Sequence, residues 1–412
     1  MAEPPPPGTG GSPVPIGGTC DPAFGPVAEA FAANFAEGEV GAAVCVTVAG
    51  RPVVNLWGGW ADEAHTRPWA ETTTVNVYSV GKPLIGLRLL QLVAAGRVDL
   101  DARADRYWPE LRAGQAGATV RAVLSHRAGV PALRPPLTDD DLWDWTVMAG
   151  AVAATEPWWE PGTRHAYHTN TFGHLVGGLA HRVDGRRPGR WLRDDVAGPL
   201  GAALAWGLTP AEQARCADVI WLPGRGRLRE AAGPPGGPAE GSPAGPARST
   251  RAAWADLDPE MVMLGYTNPP GYSSLGVVNT PAWRSAEVPS TNLHATAAGV
   301  ARLYTALAGG GTVDGVAVID PAMLAEATTA QSEGWCPVLQ REVTFGLGFQ
   351  LTRPDRPFGP NPGAFGHFGT GGSLGYADPD AGIGFGYVMN AVNPGWQSTR
   401  NRALLDALYR CL

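Results

Sequence analysis

The sequence predicts an α+β fold, in which one antiparallel β-sheet is flanked by helices and carries an inserted all-α lobe. Short β-rich segments lie near both ends of the chain, whereas helical spacing of apolar residues dominates its middle. This order is typical of a sheet that the two terminal regions build together. With 412 residues, of which 44% are hydrophobic and 17% charged, the chain is long and apolar enough for a sizeable core.

The first quarter of the chain contains a leader, a hairpin and the start of a long helix. Residues 1–25 are rich in Pro and Gly and predict a disordered leader. Apolar spacing and turn residues then predict a helix over 26–35, a hairpin of 41–48 and 52–60, an extended segment over 72–78 and a helix over 84–95.

The middle of the chain is mainly helical, and the last quarter is again β-rich. Helices are predicted over 119–124, 139–152 and 171–183, with regular structure resuming at 261–264 and a further helix over 295–308. Residues 223–250 have low complexity and predict a long surface loop. Strands are predicted within 346–351, 364–368, 374–377 and 383–390, and a last helix over 400–409. We therefore predict an α/β domain of residues 26–80 and 289–412, with a helical lobe of residues 81–288.

Composition argues against several classes of partner. A net charge of −7 and a pI near 5.6 supply no basic field for a nucleic acid. The N-terminal residues lack a secretory signal, and no stretch approaches the roughly 20 apolar residues that cross a bilayer. We therefore expect a cytoplasmic protein without a membrane partner. Five scattered cysteines without a CxxC motif, and eight histidines without ligand spacing, predict neither a metal nor another cofactor.

Lys82 is unusual because it is the only lysine of the chain, beside thirty arginines. Arginine stays protonated in proteins, whereas a desolvated lysine can lose its proton and act as a base. The exception therefore indicates a chemical role for Lys82, although a single lysine can also survive by chance.

The segment Ser79-Val80-Gly81-Lys82 fits the pattern S-x-x-K at the start of a predicted helix. Residues three apart share one helix face, so the Lys82 amine can reach the Ser79 hydroxyl. A serine hydroxyl is a weak nucleophile until a neighbouring base takes its proton. The free N–H groups of a helix start favour a developing oxyanion. Ser79 is therefore the candidate nucleophile and Lys82 its candidate base.

Two further segments contain residues suited to such chemistry. Tyr167, in His-Ala-Tyr-His-Thr-Asn just before a predicted helix, is a phenol that can share a general-base role beside a lysine. It can equally be an ordinary half-buried aromatic residue. His367 lies among glycines that let a backbone approach a substrate closely, or it belongs to a Gly-rich turn with a solvated imidazole.

Together these segments resemble the signature elements of the class C β-lactamases and of the family VIII carboxylesterases that share their fold. The resemblance covers residues 26–412 apart from the low-complexity segment. Further similar segments are Val98-Asp-Leu-Asp101, Tyr107-Trp-Pro-Glu110, Leu124-Ser-His-Arg-Ala-Gly129, Pro289-Ser-Thr-Asn292 and Gly346-Leu-Gly-Phe349. The resemblance implies a β-lactamase/transpeptidase-like fold, an acyl-enzyme on Ser79, and general-acid and general-base roles shared by Lys82 and Tyr167. It also implies an oxyanion hole formed by the backbone N–H groups of Ser79 and Thr370.

The chain departs from the lactamase pattern at two positions. His367-Phe368-Gly369 stands where lactamases carry Lys-Thr-Gly, and Thr169 stands where an Asn is expected, with Asn170 one step later. The loss of a fixed cation favours neutral esters or activated acyl donors over β-lactams. We expect the substrate to contact His367, Phe368, Gly369 and Thr169. Two residues of the Trp-rich loop, Trp158 and Trp159, are further candidates for substrate contact, although core packing can also explain them.

Three hypotheses follow for the function. The first is a serine esterase, and the second is an acyltransferase that passes the acyl group from Ser79 to an alcohol or amine; a β-lactamase or D-amino peptidase ranks below both. The third is a non-catalytic binding protein, which would need neither Lys82 nor Tyr167. The expected partner is a small-molecule ester or acyl donor. Gly371-Gly-Ser-Leu-Gly375 also matches G-x-S-x-G, but β-rich sequence follows where that motif needs a helix, so we expect Ser373 to be structural.

Overall fold

The computed structural model of the chain describes residues 14–221, 254, 256–393 and 398–412. The low-complexity segment 223–250 and the first half of the predicted leader lie outside the described residues. Within the described part, no helix is both long enough and apolar enough to cross a membrane.

Within the described residues, the strands form one large sheet and two small ones. In chain order they are β1 (Ile16–Cys20), β2 (Gly41–Val48), β3 (Arg51–Gly59), β4 (Val75–Asn76), β5 (Leu204–Ala205), β6 (His294–Ala295), β7 (Thr312–Val313), β8 (Val316–Ala317), β9 (Ser332–Cys336), β10 (Arg341–Phe345), β11 (Gln350–Leu351), β12 (Phe365–Phe368), β13 (Leu374–Asp378) and β14 (Ile383–Met389). The large sheet has the order β1-β3-β2-β14-β13-β12-β11-β10-β9, while β4-β6-β5 and β7-β8 form the small sheets.

The predicted α+β fold is confirmed, because the centre of the large antiparallel sheet joins the two terminal regions. β2 pairs with β14 from Ala42 opposite Met389 to Val48 opposite Ile383. The N–H of Gly41 adds a 2.9 Å hydrogen bond to the side chain of Asn390. Each terminal region thus supplies strands that the other needs as pairing partners.

The helices lie on both faces of this sheet and build a lobe beside it. They are α1 (Gly25–Asn34), α2 (Lys82–Ala94), α3 (Arg112–Gln115), α4 (Val120–Leu124), α5 (Asp139–Leu142), α6 (Trp145–Ala154), α7 (Thr171–Asp184), α8 (Pro188–Trp191), α9 (Gly198–Leu200), α10 (Pro210–Gln213), α11 (Pro259–Thr267), α12 (Pro281–Ser285), α13 (Ala297–Ala308), α14 (Pro321–Ala327) and α15 (Thr399–Tyr409). A π-helical segment, Leu192–Ala197, joins α8 to α9.

Helix α13 packs on one face of the sheet, and α1 and α15 pack on the other. Glycines in β14 permit the close approach of α13, since a Cβ on Gly386 would lie 2.3 Å from the Ala297 carbonyl oxygen. A Cβ on Gly384 would lie 2.5 Å from the Thr305 nitrogen. The lobe is centred on α2, which is buried over most of its length and packs against α7. A helix that is apolar on nearly every side is expected at such a position.

Several predicted elements differ from the structure. Ile16–Cys20 lies in the predicted leader but forms an edge strand, because Gly18 has a φ of 113° and lets the chain pass the Asn55 carbonyl oxygen. The predicted helix over 139–152 is two helices, since the Asp144 side chain accepts hydrogen bonds from the N–H groups of Thr146 and Val147 and starts α6. The hairpin of β9 and β10 was not predicted. The division into an α/β domain and a helical lobe stays a prediction.

Candidate active site

Ser79 begins a short 3-10 turn, Ser79–Gly81, that connects the segment after β4 to α2. The preceding residue, Tyr78, has a φ of 52° and a ψ of −127°, a backbone conformation that aromatic residues rarely adopt. Its hydroxyl accepts a 3.2 Å hydrogen bond from Ser274. Such strain persists where the surroundings enforce it and is common at functional sites. Gly81 fits the turn because a Cβ there would lie 2.9 Å from the Cβ of Leu293.

The structure brings Ser79, Lys82 and Tyr167 together. The Ser79 Oγ lies 3.0 Å from the Lys82 Nζ and 3.0 Å from the Tyr167 hydroxyl oxygen. The lysine nitrogen also lies 4.8 Å from the centroid of the Tyr167 ring. Only 2% of the Ser79 surface is exposed, and the other two side chains are fully buried. The hydroxyl therefore contacts two proton-transfer groups in a setting of low polarity.

Burial shifts the pKa values of the two groups in opposite directions and favours the uncharged form of each. It lowers the pKa of the Lys82 amine well below its ordinary value. Burial also raises the pKa of the Tyr167 phenol well above its ordinary value, and the hydrogen bond to Ser79 offsets part of that rise. A neutral amine has a lone pair for the Ser79 proton, and a neutral phenol has a proton to donate. The arrangement can therefore move a proton from one side of the reacting oxygen to the other.

Ser290 holds Lys82 in place and was not recognised as a site residue from the sequence. Its carbonyl oxygen accepts a 3.0 Å hydrogen bond from the Lys82 Nζ. Its hydroxyl accepts a 2.6 Å hydrogen bond from the N–H of Gly173, in the first turn of α7. Ser290 therefore couples the lysine to the start of the helix that follows Tyr167. The segment 289–292 resembled the esterases, but nothing in it indicated this contact.

Tyr167 is fixed by residues from the β9–β10 hairpin. Its backbone N–H donates to the Cys336 Sγ at 3.2 Å, at the end of β9. Its ring stacks on Phe345 of β10, with centroids 5.7 Å apart and planes 9° from parallel. The ring of His126 lies 5.0 Å away on another side. These contacts restrict both the backbone and the ring of the tyrosine.

His126 and His168 act as acceptors for backbone N–H groups near Tyr167. The Nδ1 of His126 accepts from the N–H of His168 at 3.2 Å, and the Nε2 of His168 accepts from the N–H of Val130 at 3.0 Å. Both roles need a neutral imidazole. Burial lowers the pKa of His168 to about 4 and that of His126 well below its ordinary value. Protonation would remove acceptors that order the loop holding Tyr167.

We expect the protein to lose stability in mild acid because of these imidazoles. The folded-state pKa of His168 is lowered, so its contribution is present above the unfolded pKa of roughly 6.5 and is lost as the pH falls toward about 4. Between pH 7.5 and pH 5, the free energy of unfolding should fall by about 2 kcal/mol from this residue alone. Urea denaturation at the two pH values measures the change.

Two variants test the source of that loss. His168→Gln keeps an acceptor without a titrating group and should show a smaller difference between the two pH values. His65→Gln, at an exposed position, should keep the full difference. A wild-type protein equally stable at both pH values would contradict the assignment.

The two neighbours on β12 point to opposite faces of the sheet. The His367 ring faces the site, with its centroid 6.0 Å from that of Tyr167. Burial lowers its pKa well below the ordinary value, and the nearby Lys82 adds to the effect. Phe368 instead stacks on Phe358 at 4.8 Å within the core under α1 and α15. The Phe368 side chain therefore faces away from Ser79, since adjacent strand residues alternate between faces, and substrate contact by Phe368 stays a prediction.

Gly369 and Thr370 lie beside the turn that contains Ser79. β12 packs against that turn, and a Cβ on Gly369 would lie 2.4 Å from the Val77 carbonyl oxygen. Thr370 begins the following turn, Thr370–Gly372. This position agrees with an oxyanion hole built from the N–H groups of Ser79 and Thr370, which stays a prediction. Ser373 is fully buried and precedes strand β13 instead of a helix.

The remaining predicted site residues lie around Tyr167 and have structural contacts of their own. Thr169 is buried two residues after the tyrosine, and Asn170 donates to the Gly265 carbonyl oxygen and the Ser273 hydroxyl at 2.8 Å. The indole of Trp158 donates to the Ala132 carbonyl oxygen and that of Trp159 to the Arg164 carbonyl oxygen. Both indoles pack in the aromatic cluster that includes Tyr167 and Phe345. Substrate contact by these residues stays a prediction.

Comparisons with known proteins agree with this geometry. A family model described as beta-lactamase matches residues 28–409. Esterase/beta-lactamase LipL of Mycobacterium tuberculosis is 33% identical over 384 residues, which cover 90% of this chain and 82% of that protein. The crystal structure of a family VIII carboxylesterase has 35% identity and a TM-score of 0.84, covering 97% of this chain and 100% of that chain. A penicillin-binding protein homolog from Caulobacter crescentus has 35% identity and a TM-score of 0.83, with the same coverage.

Proposed function

The chain belongs to the beta-lactamase family, and from this premise we propose that it is a serine carboxylesterase that forms an acyl-enzyme on Ser79. The observation that carries the proposal is the contact of the Ser79 Oγ with both the Lys82 Nζ and the Tyr167 hydroxyl at 3.0 Å. Burial favours the neutral forms of both partners. A binding protein would gain nothing from a desolvated lysine and a tyrosine placed on one serine hydroxyl.

The proposed acylation begins when Lys82 takes the proton of Ser79 as its oxygen attacks the ester carbonyl carbon. The backbone N–H groups of Ser79 and Thr370 stabilise the oxyanion of the tetrahedral intermediate. As the intermediate collapses, Tyr167 donates its proton to the leaving alkoxide, and the ammonium of Lys82 restores the proton of the phenol. The products of this half-reaction are the free alcohol and an ester between the acyl group and Ser79.

Deacylation repeats these steps with water in place of Ser79. The Tyr167 oxygen accepts a proton from the water as the water oxygen attacks the acyl carbon, while the phenolic proton of Tyr167 passes to the Lys82 amine. The Lys82 ammonium then gives one proton to the Ser79 oxygen as the carboxylic acid is released. An alcohol or amine in place of water would give acyl transfer. The two outcomes share every catalytic residue and differ in the second substrate.

A preference for esters over β-lactams is part of the proposal. His367 lies where lactamases place a lysine, and its lowered pKa keeps the imidazole neutral at neutral pH. A lost charge-assisted hydrogen bond to a carboxylate costs about 1.5–3 kcal/mol, which is roughly a ten- to hundredfold loss of rate. A simple ester has no such carboxylate to hold. The names of the relatives include an esterase and a carboxylesterase.

We expect kcat/KM for p-nitrophenyl butyrate to exceed that for nitrocefin by at least about tenfold on the same preparation. Initial rates at several substrate concentrations measure both values. A higher value for nitrocefin would overturn the esterase proposal. If both substrates are poor while an added alcohol or amine sharply increases consumption of the acyl donor, acyl transfer replaces hydrolysis as the proposed activity.

A further inference from the structure

A notch opens in the large sheet where β10 and β12 separate. Between them β11 has only two residues, and it pairs with β10 through Phe345 and Gln350 alone. The space is small, with an interior volume of about 20 Å³, and it is partly open to solvent. Its lining includes three arginines and two aromatic rings, contributed by Arg341, Arg353, Arg356, Phe358 and Phe368. We call this space the arginine notch.

The three arginines of the notch differ in how their charges are compensated. Arg353 is well partnered, because it bonds Asp355 at 2.9 Å and Thr344 at 3.1 Å. Arg356 is not: its Nε and Nη2 are buried without a hydrogen-bond partner. Its guanidinium lies 5.3 Å from the centroid of the Phe368 ring. The carboxylate of Asp355 acts on Arg356 electrostatically, but it is hydrogen-bonded to Arg353.

Guanidinium nitrogens that are buried without a hydrogen-bond partner are unfavourable, since they lose water without gaining an acceptor. Burial and, to a smaller extent, the neighbouring Arg341 lower the pKa of Arg356 to about 9, while the charge of Asp355 opposes the change. Buried polar groups of this kind call for a missing partner such as an ion. The guanidinium fork matches the two oxygens of a carboxylate. Glu342 also lines the notch, which favours one small anion over a polyanion.

We propose that the arginine notch binds a carboxylate or another oxyanion of similar size, held by Arg356. The aromatic ring beneath the guanidinium limits its movement, and Arg353 is kept in position by its own partners. Arg341 adds positive charge at the other side of the notch.

The notch adjoins the catalytic residues across β9 and β10. Arg341 stands directly opposite Cys336 in the antiparallel pair. Opposite residues of such a pair lie on the same face of a sheet. Cys336 in turn accepts the hydrogen bond from the backbone of Tyr167. Arg356 itself lies over the Phe368 ring, on the face of the sheet away from His367, so we expect the oxyanion to be a free ion. A carboxylate carried by a substrate is the alternative source, and only that alternative rests on the proposed esterase function.

Thermal unfolding with sodium acetate tests binding without relying on any activity. At constant ionic strength, replacing chloride by acetate should raise the Tm of the wild-type protein by about 1 °C or more. Arg356→Gln should remove this rise, because it removes the fork but leaves a polar side chain. Arg190→Gln deletes an equal charge at an exposed position and should retain the rise. No rise in the wild type, or an equal rise in Arg356→Gln, would overturn the proposal.

Kinetics with two esters of equal chain length separate the two sources of the oxyanion. The p-nitrophenyl half ester of succinic acid carries a terminal carboxylate, whereas p-nitrophenyl butyrate does not. If the substrate supplies the anion, Arg356→Gln should lower kcat/KM for the half ester relative to the butyrate by about tenfold or more. An unchanged ratio, together with the acetate-dependent Tm, assigns the notch to a free oxyanion. Absence of any esterase activity would leave the acetate result standing and count against the proposed function alone.

Discussion

Ser79→Ala is expected to abolish acyl-enzyme formation and to lower kcat by a factor of about 10³ or more. The substitution removes the oxygen atom that lies 3.0 Å from both the Lys82 amine and the Tyr167 hydroxyl. Substrate binding should persist, because the site loses one oxygen and no apolar surface. Intact-mass measurement after exposure to a p-nitrophenyl ester should show the acyl adduct on the wild-type protein and none on the variant.

Ser373→Ala is the matched control for this substitution. Ser373 lies in a G-x-S-x-G sequence, but it is fully buried and followed by β13. We expect its variant to keep the acyl adduct and most of the turnover. Wild-type turnover in Ser79→Ala, or an equal loss in Ser373→Ala, would remove Ser79 from the role of nucleophile.

Lys82→Arg is expected to lose nearly all activity although it preserves the formal charge of the residue. Arginine cannot be deprotonated in proteins and so cannot accept the proton of Ser79. The wild-type amine is fully buried, and its pKa lies well below the ordinary value. For the same reason, wild-type kcat/KM should rise with pH as the amine loses its proton and fall as the pH drops below its pKa. A pH profile of ester hydrolysis and circular dichroism of the variant measure the two effects.

Lys82→Met separates the loss of a base from the presence of a buried charge. It keeps an unbranched side chain of similar length but lacks a nitrogen. If both variants fold and both are inactive, the neutral amine is required for the reaction. An active Lys82→Arg enzyme would instead remove Lys82 from the base role and leave Tyr167 as the remaining candidate.

Much of the fold could be predicted because the signals were local. The β-rich runs of 41–48 and 52–60 and the helical spacing in 84–95 correspond closely to β2, β3 and α2. The edge strand β1 could not be predicted in this way, since its glycines resemble those of a flexible leader. Gly18 is needed in β1 because the chain passes close to the carbonyl oxygen of Asn55, which belongs to β3. The β9–β10 hairpin was missed for another reason: its strands pair mainly with each other, but they are short and contain Gly and charged residues, which weaken the strand signal.

The catalytic set could be predicted because S-x-x-K is a local spacing and Lys82 is the only lysine of the chain. The residues that hold this catalytic set in place could not be predicted from the sequence. Ser290 contacts Lys82 across 208 positions of sequence, and Cys336 contacts Tyr167 across 169. Such contacts follow from tertiary packing alone. The orientation of Phe368 is a different case, since the strand period of two already predicts that its side chain and that of His367 face opposite ways.

The pairing of β2 with β14 also determines how late in synthesis of the chain the large sheet can be completed. Gly41 bonds Asn390 across 349 positions, and at about 5–20 residues per second the ribosome needs roughly 20–70 s to make that length of chain. Throughout this interval, β2 is an open strand edge of apolar residues, which is a template for association with other chains. β12, which forms a wall of the site through His367, emerges equally late. A nascent chain therefore carries Ser79 and Lys82 long before it can use them, and it depends on protection of that edge until its last strands arrive.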